Sequence, residues 1–367
     1  MRVLITNNTL SQRAGTELYV RDVASRLREL GHEVVAFSTQ LGPVAEELLA
    51  AGVAVVDDLE KLPFQPDIIH GQHHRETMMA LLSLPGVPAV YFCHGAVPWE
   101  EMPPVFPRIV RYAAVDSACR NRVVQDAGVP ADAVRVLLNF VDLQRFERRE
   151  PLPTKPGHAL VFSNYASETN CVGITRQACA CFQISVDVAG IGSNQVAAAP
   201  EKILSRYDLV FAKGRAALEA MAVGAAVVAC DTHGCGPLVR PENFEELRQL
   251  NFGFRVMSLP MTVENLSAQI AQYDPAAAAA VCQRVRAEAD MRAVVNDIVQ
   301  LYEEVLAEYK HRPVDPVAEL RAAGNYLQSI RRLVQPTPKE PEPIVRKGFS
   351  EQLARKADKL ARWLRKR

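Results

Sequence analysis

The sequence predicts an α/β protein built as two doubly wound, parallel-sheet domains that face each other across a cleft, with a helical C-terminal tail. Three observations carry this. At 367 residues the chain exceeds what one ordinary hydrophobic core serves, and chains of this size divide into domains. Short apolar runs alternate with amphipathic stretches through the first half, the β-α-β rhythm of a parallel sheet covered by helices on both faces. That rhythm breaks at the proline-rich stretch 148–157, RREPLPTKPG, and then starts again. Two Rossmann-like domains in tandem bring the carboxyl edges of two sheets together, and ligands of such sheets bind outside those edges.

Taken in order, strands are expected over 3–6, 34–39, 53–56, 67–70, 89–93, 113–116 and 134–138, where short apolar runs are bounded by turn residues. The helix between the first two, over 16–30, places Val20, Val23, Ala24, Leu27 and Leu30 on one face, and Gly31 follows as its C-terminal cap. Past the break, strands are expected over 159–163, 186–189, 208–211 and 226–230. Beyond Phe254 the pattern turns helical, over 275–288, 293–310 and 317–334, and PTPKEPEP at 336–343 reads as a stiff, extended spacer. The expected division is therefore a first domain over 1–150, a second over 151–290, helices over 291–335, a proline-rich linker over 336–345 and a last helix over 346–367.

Composition excludes some functions. Lys and Arg together number 42, as do Asp and Glu, whereas a general nucleic-acid binder draws its affinity from a basic surplus. No nucleic-acid partner is expected. The eight cysteines lie mostly in apolar segments, without the paired spacing of a zinc site, so they read as reduced, buried side chains in a cytoplasmic protein. MRVLI passes straight into a strand with no signal-peptide core, and no apolar run reaches the length of a membrane span.

The chemistry is expected in FAKGRAALEAMAVGAAVVACDTHG, residues 211–234. Apolar strands at 209–211 and 226–229 flank a helix that begins just after Lys213-Gly214. Its first N–H groups face the cleft with the positive end of the helix dipole behind them, an arrangement that fits a phosphate. Gly214 lets the backbone approach an anion closely, and Lys213 and Arg215 add positive charge. Glu219 lies about one turn further on and leans back toward the helix start. Its carboxylate suits two neighbouring hydroxyls such as those of a ribose. The alternative is a carboxylate that only complements the dipole on a solvated face.

This segment resembles the donor-nucleotide site of GT-B glycosyltransferases of the family-four group, whose pattern is Glu-Gly-Phe-Gly, four residues, Glu, Ala-Met-Ala-x-Gly. Gly214 matches the second glycine, and Glu219-Ala220-Met221-Ala222-Val223-Gly224 matches the close. The resemblance implies that Glu219 binds the ribose. Phe211 stands where the family has its first Glu, which is associated with the donor sugar, and Lys213 stands where it has Phe. Four more stretches carry the likeness over residues 1 to 310. Arg13-Ala14-Gly15-Thr16-Glu17 resembles the Gly-Gly-x-Glu loop, which sets Gly15 against the donor. Pro66 to His70 and Val90 to Gly95 resemble the strand ends that meet acceptor and donor sugar. Asn139-Phe140-Val141-Asp142, with Phe146, resembles an Asn-Gly-Val-Asp-x-x-x-Phe signature. The family usually follows the first strand of the second domain with an Arg and a Lys on the pyrophosphate. Here the loop is Ser163-Asn164-Tyr165-Ala166-Ser167, so Asn164 takes that position and Lys213 and Arg215 are expected to supply the charge.

Other candidates rest on fewer signals. His94, at a strand end, is the expected catalytic residue, as hydrogen-bond partner to a sugar hydroxyl or leaving oxygen, against a reading as a structural histidine. His70 and His73 are placed on the acceptor side. With His74 they invite a metal reading, but adjacent histidines seldom converge on one ion, and no metal or other cofactor is expected. Asp57-Asp58 reads as a solvated turn, Cys179-Ala-Cys181 as buried thiols, and His233-Gly234-Cys235-Gly236 as a glycine loop or turn. From 346 to 367 the cations 346, 347, 355, 356, 359, 362, 365, 366 and 367 face only Glu351 and Asp358, while Phe349, Leu353, Leu360 and Leu364 recur at helical spacing. That is a basic amphipathic helix suited to an anionic membrane surface, or else a solvated or oligomer-forming one. The resemblance implies sugar transfer from a nucleotide diphosphate donor, UDP-linked, to a hydroxyl of a glycan or glycolipid, retaining and metal-independent. A nucleotide-sugar epimerase on the same fold and a non-catalytic nucleotide-sugar-binding protein stand as alternatives.

Overall fold

The computed structural model describes residues 1–193, 195, 199–312 and 315–334. The proline-rich linker over 336–345 and the basic helix expected over 346–367 lie outside the described residues.

The first sheet is formed by β1 (Arg2–Thr6), β2 (Glu33–Phe37), β3 (Ala54–Val56), β4 (Ile68–Gln72), β5 (Ala89–Cys93), β6 (Ile109–Ala114) and β7 (Val134–Val136), with α1 (Gly15–Glu29), α2 (Pro43–Ala50), α3 (His74–Ser83) and α4 (Ser117–Asn121) between them. Its order is β3-β2-β1-β4-β5-β6-β7, and every pairing is parallel. Order reverses between β1 and β4. That switch point is where a crevice opens outside the strands' carboxyl ends.

The second sheet contains β8 (His158–Phe162), β9 (Ser185–Ala189), β10 (Leu209–Ala212), β11 (Ala226–Asp231) and β12 (Gly234–Leu238). They run in the order β12-β11-β10-β8-β9, so the reversal falls between β8 and β10. Helices α5 (Cys171–Ala180), α6 (Gly214–Val223), α7 (Phe244–Gln249), α8 (Val263–Ile270) and α9 (Pro275–Glu288) accompany it, followed by α10 (Met291–Tyr309) and α11 (Pro316–Val334).

Two sequence expectations need correction here. The glycine loop at 233–236 is β12, which pairs antiparallel with β11 through Val228 and Leu238, Cys230 and Cys235, and Asp231 and Gly234. It is an edge strand in which glycine and proline hid the β pattern. The strand expected over 113–116 begins earlier, at Ile109, because Arg111 breaks the apolar run.

The core explains the return of α10. Met291, Val295, Ile298, Leu301, Tyr302 and Val305 pack into the same cluster as Val3, Ile5, Val23, Leu27 and Val90 of the first domain. The chain thus crosses to the second sheet near Val141 and comes back near Ala289. The two crossings are stitched together: the Val141 N–H donates to the Ala289 carbonyl (2.8 Å), and the Met291 N–H to the Val141 carbonyl (3.0 Å). The proline-rich connector is pinned as well. Arg149 pairs with Asp208 (3.0 Å), and the Gly157 N–H donates to the same carboxylate (2.8 Å). α11 belongs to a separate compact unit beginning at Pro316.

Candidate active site

Both switch points open toward the same place. The loop after β1 and the strand ends of β4 and β5 supply residues from the first domain, and the loops after β8 and β10 supply them from the second. The sides touch: the Asn164 side-chain amide donates to the Arg13 carbonyl (3.2 Å), just before Gly15 opens α1. The Asn164 side-chain carbonyl in turn accepts from the Ile191 N–H (3.3 Å). Two glycines after β9 make this possible. A Cβ on Gly190 would stand 2.0 Å from the Ser163 carbonyl, and one on Gly192 would stand 2.7 Å from the Ala166 carbonyl. Sequence reading missed this pair, although Gly-Ile-Gly directly after a strand is the signal that a loop is packed close to its neighbour.

Helix α6 starts at Gly214, whose φ is +56° and which has nothing within 4 Å of where a Cβ would stand. Only glycine holds that backbone without strain, and the space before it is open. No side chain caps the helix, so the dipole end is presented bare. The Gly214 N–H itself is committed to the Phe252 carbonyl (3.0 Å).

The charges flanking this start are not free. Lys213, expected to add positive charge at the phosphate, forms an ion pair with the buried Asp231 and lies over the Tyr165 ring at 4.8 Å. Asp231 also accepts from the Ser163 hydroxyl (2.8 Å). Arg215 crosses the cleft. Its Nη2 lies 2.5 Å from Asp22 Oδ2 on α1 and 3.4 Å from Glu219 Oε1, and its guanidinium stands 5.6 Å from the Phe140 ring centroid. The other two guanidinium nitrogens, Nε and Nη1, are buried with no hydrogen-bond partner. A buried donor left unsatisfied costs about 1–3 kcal/mol, so an oxygen ligand there is favoured.

Glu219 lies 6% exposed. Burial pushes its carboxyl above the usual range, against the pull of Arg215. The bland alternative of a solvated, dipole-complementing carboxylate is therefore excluded by position. Phe211, where the resembled family has its first Glu, is a fully buried core residue of β10.

His94 closes the site from the first domain. Its ring meets the edge of Tyr19 at 4.4 Å, and Tyr19 in turn lies 5.3 Å from Phe140, so an aromatic wall runs from His94 to Arg215. Burial, then His73 and Arg215, lower the His94 pKa to about 3. The imidazole is neutral at physiological pH. Its Nε2 is buried and has no partner, the state needed to hydrogen-bond a sugar hydroxyl and the wrong state for a proton donor.

The acceptor-side histidines depart from expectation. His70 is fully buried, with Nδ1 at 2.5 Å from the Tyr302 hydroxyl of α10, Nε2 at 3.3 Å from Gln72 and its ring stacked on Phe92 at 3.7 Å. It is a core residue that packs α10 onto the sheet, because β4 runs past position 70 to Gln72. His73 is at the strand end but is also engaged. Its Nδ1 accepts the Asn8 N–H (3.2 Å), which places the ring proton on Nε2, facing Glu101 Oε1 at 3.4 Å. Burial holds its pKa down to about 4. Glu101 Oε2 accepts the His94 N–H (2.9 Å), so this glutamate, not foreseen from sequence, ties the loops carrying His73 and His94 together. Its carboxyl is raised by burial to about 8. Among the described residues no group of three or more His, Cys, Asp or Glu is arranged to hold a metal ion, and no helix is long and apolar enough to cross a membrane.

This architecture recurs in solved structures. HepE from Anabaena, in complex with UDP-glucose, superposes with a TM-score of 0.60 at 16% identity, over 83% of this chain and 100% of the other. The fold is GT-B. Sucrose-phosphate synthase from Thermosynechococcus elongatus matches with a TM-score of 0.58 at 14% identity, over 84% and 99%. A putative UDP-N-acetylglucosamine 2-epimerase from Listeria monocytogenes matches with a TM-score of 0.53 at 12% identity, over 86% and 98%. The Glycosyltransferase Family 4 model matches residues 13–145, so the first domain of this GT-B chain is family-four-like. No curated protein sequence matches it. At such low identities the structural likenesses establish the fold, and the activity has to be argued from the site.

Proposed function

We propose that this GT-B chain transfers a sugar from a nucleotide diphosphate donor, UDP-linked, to a hydroxyl of a glycan or glycolipid acceptor. The observation that carries the reading is the row of donor-facing groups along α6: the bare helix start at Gly214, the unpartnered Nε and Nη1 of Arg215, and Glu219 one turn further in, with the neutral His94 opposite. Diphosphate oxygens suit the helix start and the unpartnered guanidinium N–H groups, and the ribose diol suits Glu219 as it displaces the long Arg215 contact. His94 holds a sugar hydroxyl through Nε2. Charge developing on the departing diphosphate is met by the helix dipole and Arg215, with Lys213 joining as far as it leaves Asp231, so the reaction needs no metal; retention is what the family likeness implies. The first domain over 1–150 receives the acceptor and the second over 151–290 holds the donor.

The Listeria likeness and the loss of a carboxylate at Phe211 support a second reading, a nucleotide-sugar epimerase that needs no acceptor. Incubation with a panel of UDP- and GDP-sugars separates the two. Nucleoside diphosphate released only when a hydroxyl acceptor is present supports transfer. Conversion of the sugar without acceptor supports epimerisation, and binding without turnover refutes both.

A further inference from the structure

The Arg215 guanidinium is built into the second domain but is held in place by the first. Asp22, on α1, is 5% exposed at its side chain and meets Arg215 through Oδ2. Its Oδ1 is 2.6 Å from Arg21 Nη2 and 3.6 Å from Arg145 Nη1. Those two arginines are themselves anchored, Arg21 on Glu47 (3.0 Å) and Arg145 on Glu201 (3.0 Å). One carboxylate is thus shared by three guanidinia, and although burial pushes its pKa up, Arg215 and Arg21 hold it below the usual range. It is a fixed anion.

Geometry gives that anion a task. A planar guanidinium carries its donors on fixed edges. With Nη2 turned toward Asp22 and Glu219 and the group lying against Phe140, the plane of the guanidinium is fixed, and with it the directions of the unpartnered Nε–H and Nη1 groups. Phe140 stands where the resembled signature has glycine, and the loop after β8 lacks a cation; both departures are answered by the same side chain, Arg215. Arg145 reaches Asp22 from the turn that Asp142 closes by accepting the Gln144 N–H (3.1 Å), so the crossing point between the domains is part of the assembly.

We propose that Asp22 is a positioning residue for the donor's diphosphate: it holds Arg215 across the cleft so that its unpartnered Nε–H and Nη1 groups are available to the phosphate oxygens, and the phosphate grip is complete only when the two domains are apposed. This rests on the donor-site reading above. Asp22 touches no substrate and acts through Arg215 alone.

The test is calorimetric titration of UDP, with uridine followed by saturation-transfer NMR, on the full chain, Asp22→Asn, Arg215→Gln and the double variant. Asp22→Asn is expected to raise the UDP dissociation constant about tenfold, the scale of one lost charge-assisted contact, and to leave uridine unchanged. The double variant should bind UDP within about twofold of Arg215→Gln, because residues acting through one contact are non-additive. An unchanged UDP constant, an equal loss for uridine, or multiplying effects in the double variant overturns the proposal while the donor site stands. Failure of the unaltered chain to bind UDP, GDP or ADP overturns both. Should Asp22→Asn not fold, Asp22→Glu moves the carboxylate by one methylene. It is then expected to weaken UDP about threefold with uridine unchanged, and an unchanged UDP constant again overturns the proposal.

Discussion

Replacing Glu219 isolates the ribose contact from everything else in the site. The carboxylate is 6% exposed, and it meets Arg215 Nη2 at 3.4 Å, long for a charge-assisted bond. A ribose hydroxyl therefore displaces a weak contact rather than a strong one, and most of its bond to the carboxylate is gained. Hydrogen bonds to charged groups contribute about 1.5–3 kcal/mol. At about 1.4 kcal/mol per decade, Glu219→Ala should weaken UDP at least about tenfold. The assay is isothermal titration with UDP and 2′-deoxy-UDP on both proteins. The unaltered chain should prefer UDP, and Glu219→Ala should lose that preference; an identical UDP to 2′-deoxy-UDP ratio in the two proteins refutes the assignment. Folding is controlled by Glu219→Gln. Because burial raises the Glu219 pKa, the stability linked to its neutral form is present below the unfolded-state value and lost as pH rises through the folded one. The glutamine removes that loss, so its melting temperature at neutral pH should not fall below that of the unaltered chain.

Three further outcomes follow from the same structure. Gly214→Ala places a methyl in open space but at φ +56°, so thermal melts should show a loss of about 1–2 kcal/mol from backbone strain; UDP binding should weaken beyond that, and unaltered UDP affinity would show that the helix start does not face the phosphates. The depressed pKa values of His73 and His94, about 4 and 3, mean that the folded chain disfavours their protonated forms. The linked stability is present above the usual histidine range and should decline as pH falls from about 6.5 toward 3; NMR titration that finds His94 protonating near 6.5 contradicts this. Deletion after Pro343 should reduce co-sedimentation with vesicles rich in phosphatidylserine, about 1 kcal/mol being carried by each basic residue at the surface, and unchanged partitioning would leave the basic segment without a membrane role.

Much of the fold was legible because buried parallel strands leave a local signature. Runs such as Ala89–Cys93 are apolar on both faces, and Gly31, at φ +85°, stands just after α1 where a helix end favours glycine. β12 was not legible, since an edge strand made of Gly-Cys-Gly-Pro-Leu carries no periodicity. The site divided in the same way. Gly214, Arg215 and Glu219 share one helix, so spacing alone placed them together. His70 and His94 each sit near the end of a strand, and nothing local says that one is bonded to Tyr302 of α10 and the other keeps an unpartnered Nε2 beside Tyr19. The first depends on α10 returning across 232 residues of sequence, and the pairing of Asp22 with Arg215 likewise spans 193. Glu101 was missed for a related reason: it lies in the Pro-rich loop after β5, where an acidic residue normally reads as solvated.

The most direct test is a crystal structure of the chain soaked with UDP. The diphosphate should sit on the start of α6, with oxygens within hydrogen-bond distance of Arg215 Nε or Nη1, and the ribose hydroxyls on Glu219. A nucleotide bound away from α6, or a ribose turned from Glu219 with Arg215 still covering it, would contradict the account.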